Sequence, residues 1–215
     1  RQTYGGSHVL GRRTSTHDIP EDMNIEALAE IFHDDSNGLI TSISRSENNE
    51  LLISIECDDW KNSRIRREFK IVCKQWLDTD VCICSANAIS VYREHPLLLN
   101  RSGRQGSLYF SSCPQDPYQI YAYIWEILHH HYKGWLAASR MIPGSPASFH
   151  TLLTGGYGLL LRGPISVLTS VRDRIGSDLK TQLIDTHIVE TSAVVLEIGN
   201  HFVICEEIEV IDHNV

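Results

Sequence analysis

Hydrophobic and polar residues alternate along positions 38–112, with the period expected of half-buried strands. The alternating runs are GLITSIS (38–44), ELLISIEC (50–57), REFKIVC (67–73), DVCICS (80–85), AISVYREH (88–95) and SLYFSS (107–112). Every second side chain of an extended segment lies on the same face, so each run presents one apolar face. Short runs separated by polar turns predict an antiparallel sheet that is curled or sandwich-like.

The segment KNSRIRREFK (61–70) combines the same alternation with a local excess of basic residues. Arg66 is predicted on one face of a strand, and Arg67 and Phe69 on the other. We interpret this segment as a charged strand face, with a small anion site as the alternative.

A helical period precedes the sheet. In DIPEDMNIEALAEIFHDD, from about Asn24 to His33, the apolar residues recur at every third or fourth position: Ile25, Leu28, Ile31 and Phe32. Asn24 is a suitable N-cap, and Asn37-Gly38 marks the return to extended chain.

The period changes to about 3.6 residues after Pro114. A helix is predicted to begin after Asp116, which can cap it, with Pro117 at its first position. Gly134 is expected to divide this helical region, and Pro143-Gly144 to end its second part. A helical turn over 146–155, a strand over 157–162 and a helix from Pro164 to about Arg174 follow.

The chain ends in a predicted β-hairpin. HIVETSAVVLEI (187–198) and HFVICEEIEVI (201–211) are rich in β-branched residues and flank Gly199-Asn200, a favourable two-residue turn. The sequence therefore predicts an α+β fold: a β-rich portion (38–112), a helical portion (116–175) and a C-terminal hairpin (187–211). Residues 1–17 are expected to form a flexible arm, and 18–215 a single domain.

Composition narrows the classes of partner. The chain of 215 residues has a formal net charge of −8, which argues against sequence-independent nucleic-acid binding and favours a basic protein partner. The apolar runs are too short to span a membrane, and no secretory signal is seen, so a soluble, cytoplasmic protein is expected. Its six cysteines are then expected to be reduced and buried.

The glycine-rich stretch LTGGYGLLLRGPIS (153–166) resembles a phosphate loop only superficially. Leu161 stands where a dinucleotide fingerprint needs its third glycine, and Pro164 where a P-loop needs lysine. We interpret the stretch as a turn, a buried strand and a helix start. The alternative is anion or nucleotide binding at Gly155–Ser166, with Arg162 as the cation.

No metal or cofactor is predicted. Side chains of the consecutive residues His129–His131 diverge by about 100° per position on a helix, so they cannot converge on one ion. Cys82 and Cys84 could share a zinc ion with another ligand, the alternatives being Cys57, Cys73, Cys113 and His95. The apolar context of VCICS favours buried thiols instead.

The leading functional hypothesis is a protein-interaction module that occludes a basic partner surface, in the manner of an acidic inhibitor or immunity-type protein. Its expected binding residues are aromatic (Tyr118, Tyr121, Trp125 and Trp135) and acidic (Glu206, Glu207 and Glu209). Tyr121, Trp125 and Tyr132 recur near one helical stripe, so these aromatic residues either pack the helix on the sheet or anchor a partner.

The alternative hypothesis is an enzyme, a small hydrolase or transferase. No established catalytic motif is found in the sequence. The chemically suitable residues lie on the predicted hairpin or just before it: Asp185, His187, His201 and Cys205. This reading requires their side chains to line one pocket.

Overall fold

The computed structural model describes residues 24–33, 35–59, 65–142 and 144–213. The helices of this part of the chain are α1 (Ile25–Ile31), α2 (Pro117–Tyr132), α3 (Pro146–Thr154), α4 (Ile165–Ile175) and two short 3-10 helices (Pro96–Arg101 and Ala138–Arg140). Its strands are β1 (Leu39–Arg45), β2 (Glu50–Asp59), β3 (Ile65–Lys74), β4 (Asp78–Thr79), β5 (Ile89–Tyr92), β6 (Gly103–Phe110), β7 (Gly158–Pro164), β8 (Thr181–Val189), β9 (Val194–Ile198), β10 (His201–Cys205) and β11 (Glu207–Asp212).

The strands form three antiparallel sheets. The first sheet has the order β1-β2-β3-β11, the second β4-β10-β9-β5 and the third β7-β6-β8. With helices packed on the sheets, the protein has the predicted α+β architecture, in which a β-rich portion precedes the helices and a hairpin follows them.

The first and second sheets share one hydrophobic core with α1. Side chains such as Ile53 and Phe69 of the first sheet contact the same core as Leu196 and Val203 of the second. Strand β2 alternates strictly between buried and partly exposed residues, because only one of its faces lies against this core. The two sheets therefore form a sandwich, one of the two predicted forms. Its strands do not all come from residues 38–112, however, because β9, β10 and β11 complete it and β6 lies in the third sheet.

The helical portion forms a second core on the third sheet. Ile120, Ile124 and Leu128, at helical spacing on α2, are buried together with Leu108 and Phe110 of β6. A smaller cluster, which includes Leu97, Leu98 and Phe202, covers the other face of the second sheet. Strand β10 is therefore buried on both faces, which explains its continuous apolar run.

Several local predictions are confirmed. The Asn24 side chain accepts a hydrogen bond from the Ala27 N–H (2.8 Å), and the Asp116 side chain caps α2. At the end of α2, Lys133 and Gly134 both adopt positive φ. The stretch LTGGYGLLLRGPIS forms the end of α3, a turn, strand β7 and the start of α4, as predicted.

The extent of the predicted C-terminal hairpin is wrong. The Gly199-Asn200 turn does join β9 to β10, with Ile198 paired to His201. Residues 187–189, however, belong to β8 and pair with β6 in the third sheet, whereas β11 pairs with β3 in the first sheet. Periodicity identifies a strand but carries no information about the strand with which it pairs.

The predicted strand over 80–85 is also wrong. Strand β4 ends at Thr79, and within 80–85 only Ser85 makes an isolated bridge, to Leu39. The Asp80 carboxylate accepts the Phe202 N–H (2.7 Å), so a side chain takes the place of a backbone acceptor where the ladder ends.

The expected flexible arm (1–17) lies outside the described residues, as do residues 60–64. None of the helices in the described ranges is long and apolar enough to cross a membrane.

Candidate functional site

The outer face of α2 carries an exposed row of aromatic rings, which we call the aromatic stripe: Tyr118, Trp125 and His129, with His150 of α3 beside them. Tyr118 is 58% exposed and Trp125 is 46% exposed. The Trp125 ring stacks on His129 with ring centroids 5.3 Å apart and planes 4° apart, and Tyr118 lies 5.0 Å from the His150 ring. These neighbouring rings restrict the rotamers of two large, exposed side chains.

The other predicted aromatic residues contribute to packing. Tyr121 contacts the Phe149 ring edge-on, and Trp135 contacts Phe202 in the same way. Tyr132 is fully buried, and its hydroxyl donates a hydrogen bond to Asn100 Oδ1 (2.6 Å). Burial raises the pKa of Tyr132 to about 12. Of the four predicted binding aromatics, only Tyr118 and Trp125 project into solvent to this extent.

The acidic residues of the predicted binding face lie at an edge of the first sheet. Glu207 and Glu209 are on edge strand β11, and the Lys74 Nζ binds both carboxylates, that of Glu207 at 3.2 Å. Glu206 is exposed, and its backbone N–H donates to the Lys74 carbonyl. The negative charge of this edge is therefore partly balanced by Lys74.

The four residues of the catalytic hypothesis lie in two different sheets. Asp185 and His187 are on β8 of the third sheet, and His201 and Cys205 are at the two ends of β10 in the second. The Asp185 carboxylate binds the Arg104 guanidinium, and Cys205 is fully buried. The sequence placed these residues on or beside one hairpin. Because the strands of this region belong to two different sheets, Asp185 and His187 are separated from His201 and Cys205.

His187 lies instead in a cleft of about 710 Å³ beside the third sheet. The polar lining includes Ser107, Arg140, Arg162 and His187, and leucines of β7 supply an apolar wall. Arg140 binds Asp78 (2.8 Å), whereas no carboxylate of the described residues lies within 4.0 Å of the Arg162 guanidinium. The cleft thus combines an apolar wall with cationic groups.

The six cysteines are free, and they divide into two groups. Cys57, Cys73 and Cys205 are buried, as expected, but Cys82 and Cys113 are exposed and Cys84 is half-buried. Burial raises the pKa of the Cys57 thiol to about 11, so it is fully protonated near neutral pH. The prediction that all six are buried is wrong for the second group. Cys82 and Cys84 lie in a surface segment (80–85) rather than a core strand, and Cys113 lies in the connection between β6 and α2.

Cys82 and Cys84 lie beside His201, a residue that the sequence had not connected with them. One ligand atom of each of the three lies within 4.8 Å of the others. The sequence signal was present in the Cys-x-Cys spacing, but the third residue lies 117 positions further along the chain, beyond the reach of any local pattern.

Comparison with family models, with curated proteins and with solved structures gave no match.

Proposed function

We propose that this protein is an interaction module that binds a basic protein through the aromatic stripe of α2 and occludes the surface it covers. The main support for this proposal is the exposure of Trp125 and Tyr118, each of which contacts a neighbouring histidine ring. The opposite face of α2 packs against the core. Tryptophan and tyrosine dominate the energetics of protein interfaces, since they bury a large area at a small entropic cost.

The charge of the chain supports a basic partner. A net charge of −8 accelerates association with a cationic surface and discourages association with acidic ones. Among the predicted acids, Glu206 is the most suitable contact, because Glu207 and Glu209 already bind Lys74 within the chain.

The test begins with affinity capture of the partner protein from an extract of the source cell. The affinity of the purified partner for the wild type and for each variant is then measured. Trp125→Ser should weaken binding roughly 30-fold or more, the loss expected of an interface hot spot. Tyr157→Ser is the matched control, because Tyr157 is 79% exposed and lies outside the stripe. Equal loss in both variants, or in neither, would contradict the assignment of the interface to α2.

The variant Glu206→Lys tests the electrostatic contribution to the proposed interaction separately from the aromatic contribution. The variant should associate more slowly with the partner and show a smaller dependence of the association rate on salt. An unchanged rate would show that this edge does not face the partner, without bearing on the aromatic stripe.

A second candidate function is the binding of a small anionic molecule in the cleft beside the third sheet. The supporting observation is Arg162, whose guanidinium lines the cleft with His187 and Arg140 and has no carboxylate partner among the described residues. The apolar wall would contact the uncharged part of such a ligand.

Thermal melting with ATP, citrate and inorganic phosphate tests this candidate. A bound anion should raise the melting temperature of the wild type, and Arg162→Ala should abolish the rise. Arg172→Ala is the matched control, since the Arg172 side chain on α4 is 42% exposed and binds Asp173. A rise that survives in Arg162→Ala would place the anion elsewhere.

A further inference from the structure

We propose that Cys82, Cys84 and His201 bind a zinc ion, with an open fourth position that faces solvent. The site uses no residue of the aromatic stripe or of the cleft. It rests on three ligand atoms of suitable chemistry that converge from two segments distant in sequence.

The geometry fits a tetrahedral zinc site. The distance from His201 Nε2 to Cys82 Sγ is 3.5 Å, and all three ligand atoms lie within 4.8 Å of one another. With Zn–S of about 2.3 Å and Zn–N of about 2.0–2.1 Å, tetrahedral angles place a sulfur and a nitrogen ligand about 3.6 Å apart. An ion can therefore be accommodated with only small shifts of the side chains.

The orientation of His201 also suits a ligand. Its Nδ1 lies 3.1 Å from the Asp80 carbonyl oxygen, a contact that requires Nδ1 to carry the proton. The lone pair of the neutral ring is then on Nε2, the atom that faces Cys82. A backbone carbonyl that fixes the tautomer in this way is the usual outer partner of a zinc-bound histidine.

Asp80 is itself fixed in place. Its carboxylate accepts the Phe202 N–H (2.7 Å), and its own N–H donates to the Phe202 carbonyl (3.2 Å). The carboxylate also lies 3.8 Å from His201 Nδ1, which adds negative charge on the side of the ring away from the ion. Both features make the imidazole a better donor to a cation.

Backbone hydrogen bonds to the first sheet hold the segment that carries the two cysteines. The Cys84 carbonyl accepts the Ile40 N–H (2.8 Å), and the Ala86 N–H donates to the Gly38 carbonyl (3.0 Å). The segment that carries both thiols is thereby attached to the start of β1, whereas His201 begins β10 of the opposite sheet. A shared ion would join the two sheets of the sandwich at this end.

The ligand set selects the metal. Two thiolates and one imidazole are typical of zinc, and they neutralise its two positive charges when both thiol protons pass to solvent. The described residues supply three protein ligands, and Cys82 is exposed, so water or an exogenous ligand completes the tetrahedron. Three protein ligands with an open position are characteristic of reactive rather than purely structural zinc sites.

The test uses the full chain, reduced and stripped of metal with a chelator. Equilibrium dialysis against zinc, with metal analysis, should show one ion per chain and a higher melting temperature. Cobalt in place of zinc should give the intense visible bands of a tetrahedral site together with thiolate-to-cobalt charge transfer. Cys82→Ser and His201→Gln should each weaken binding by at least the roughly 10–100-fold that outer-sphere changes cost.

Cys113→Ser is the matched control, because Cys113 is exposed but lies near Thr154, away from the cluster. This variant should bind zinc as the wild type does. Cys82 is exposed, so its replacement leaves the core intact and a loss of zinc cannot be attributed to unfolding. Absence of stoichiometric zinc, or equal affinity in Cys82→Ser and the wild type, would overturn the proposal and leave only an S–H···N hydrogen bond between Cys82 and His201.

Discussion

Arg67 is a half-buried charged residue on the same face of β3 as the core residues Phe69 and Ile71. Its guanidinium binds the carboxylates of Asp59 (2.6 Å) and Asp212. The Arg67 side chain is 16% exposed, and the two acids are 1% and 3% exposed. Alternation correctly placed Arg66 and Arg67 on opposite faces, but it gave no indication that two buried acids, 153 positions apart, meet the second arginine.

Replacing Arg67 with methionine should lower the free energy of unfolding by about 3 kcal/mol, because it removes a cationic partner that two buried carboxylates share. Arg66→Met is the matched control. Arg66 binds Glu56 and Asp58 at the surface with a side chain that is 40% exposed, so its loss should cost less than about 1 kcal/mol. Urea denaturation of both variants measures the difference, and similar losses would contradict a buried role for Arg67.

At the scale of elements, His95 connects a short helix to a strand. Its Nδ1 accepts the Leu97 N–H (3.2 Å) at the start of the 3-10 helix Pro96–Arg101, and its Nε2 lies 2.8 Å from the Glu197 carboxylate of β9. A ring that accepts at Nδ1 and donates at Nε2 is neutral. Burial, and then the charge of Lys133, lower the pKa of His95, so the folded protein favours the uncharged ring.

The sign of the pH dependence follows from that shift. A group whose folded pKa lies below its unfolded value contributes full stability above the unfolded pKa, near 6.5, and loses it as the pH falls toward the folded pKa. Protonation of Nδ1 would also remove the helix cap. His131, whose pKa burial likewise lowers, adds to the loss in the same direction.

We therefore expect the free energy of unfolding to fall between pH 7 and pH 5, and to fall less in His95→Gln than in the wild type. The measurement is urea denaturation at a series of pH values. His33→Gln, at an exposed position, should retain the wild-type slope. Parallel curves for all three proteins would show that His95 does not titrate as proposed.

At the scale of the whole molecule, the last 33 described residues connect all three sheets. Strand β8 pairs with β6 in the third sheet, β9 and β10 form the centre of the second, and β11 completes the first. The crossing from β10 to β11 occurs at Glu206, next to the fully buried Cys205. The sandwich is therefore not complete until its C-terminal strands are in place.

A chain that ends at Glu206 should accordingly fail to fold. The truncation removes β11, including buried Val210 and the Asp212 partner of Arg67, and it exposes the edge of β3. Circular dichroism should show loss of the cooperative melting transition, whereas a chain that ends at His213 should melt as the full chain does. Cooperative melting of the shorter chain would show that β11 is dispensable.

The arrangement of the whole molecule explains why only parts of the candidate sites were predictable from the sequence. Trp125 and Tyr118 were identified from residue type alone, because large aromatic residues cluster on the predicted helix. The exposure of these two, against the burial of Tyr132, depended on the rotation of α2 over the third sheet. For Cys82 and Cys84 the spacing indicated possible ligands, but His201 became their neighbour only through the pairing of β10 with residues 77–80.

The local features of the fold were predictable from the sequence: the strand and helix periods, the Asn24 and Asp116 caps, the turn at Gly199-Asn200 and the α+β class. These depend on contacts between residues a few positions apart, so the pattern along the chain records them directly. Three features depend instead on contacts between distant segments: the division of the C-terminal strands among three sheets, the binding of Arg67 to two buried acids and the meeting of His201 with two cysteines. Those features arise where distant segments return to one another, and strand pairing between such segments leaves no periodic trace in either of them.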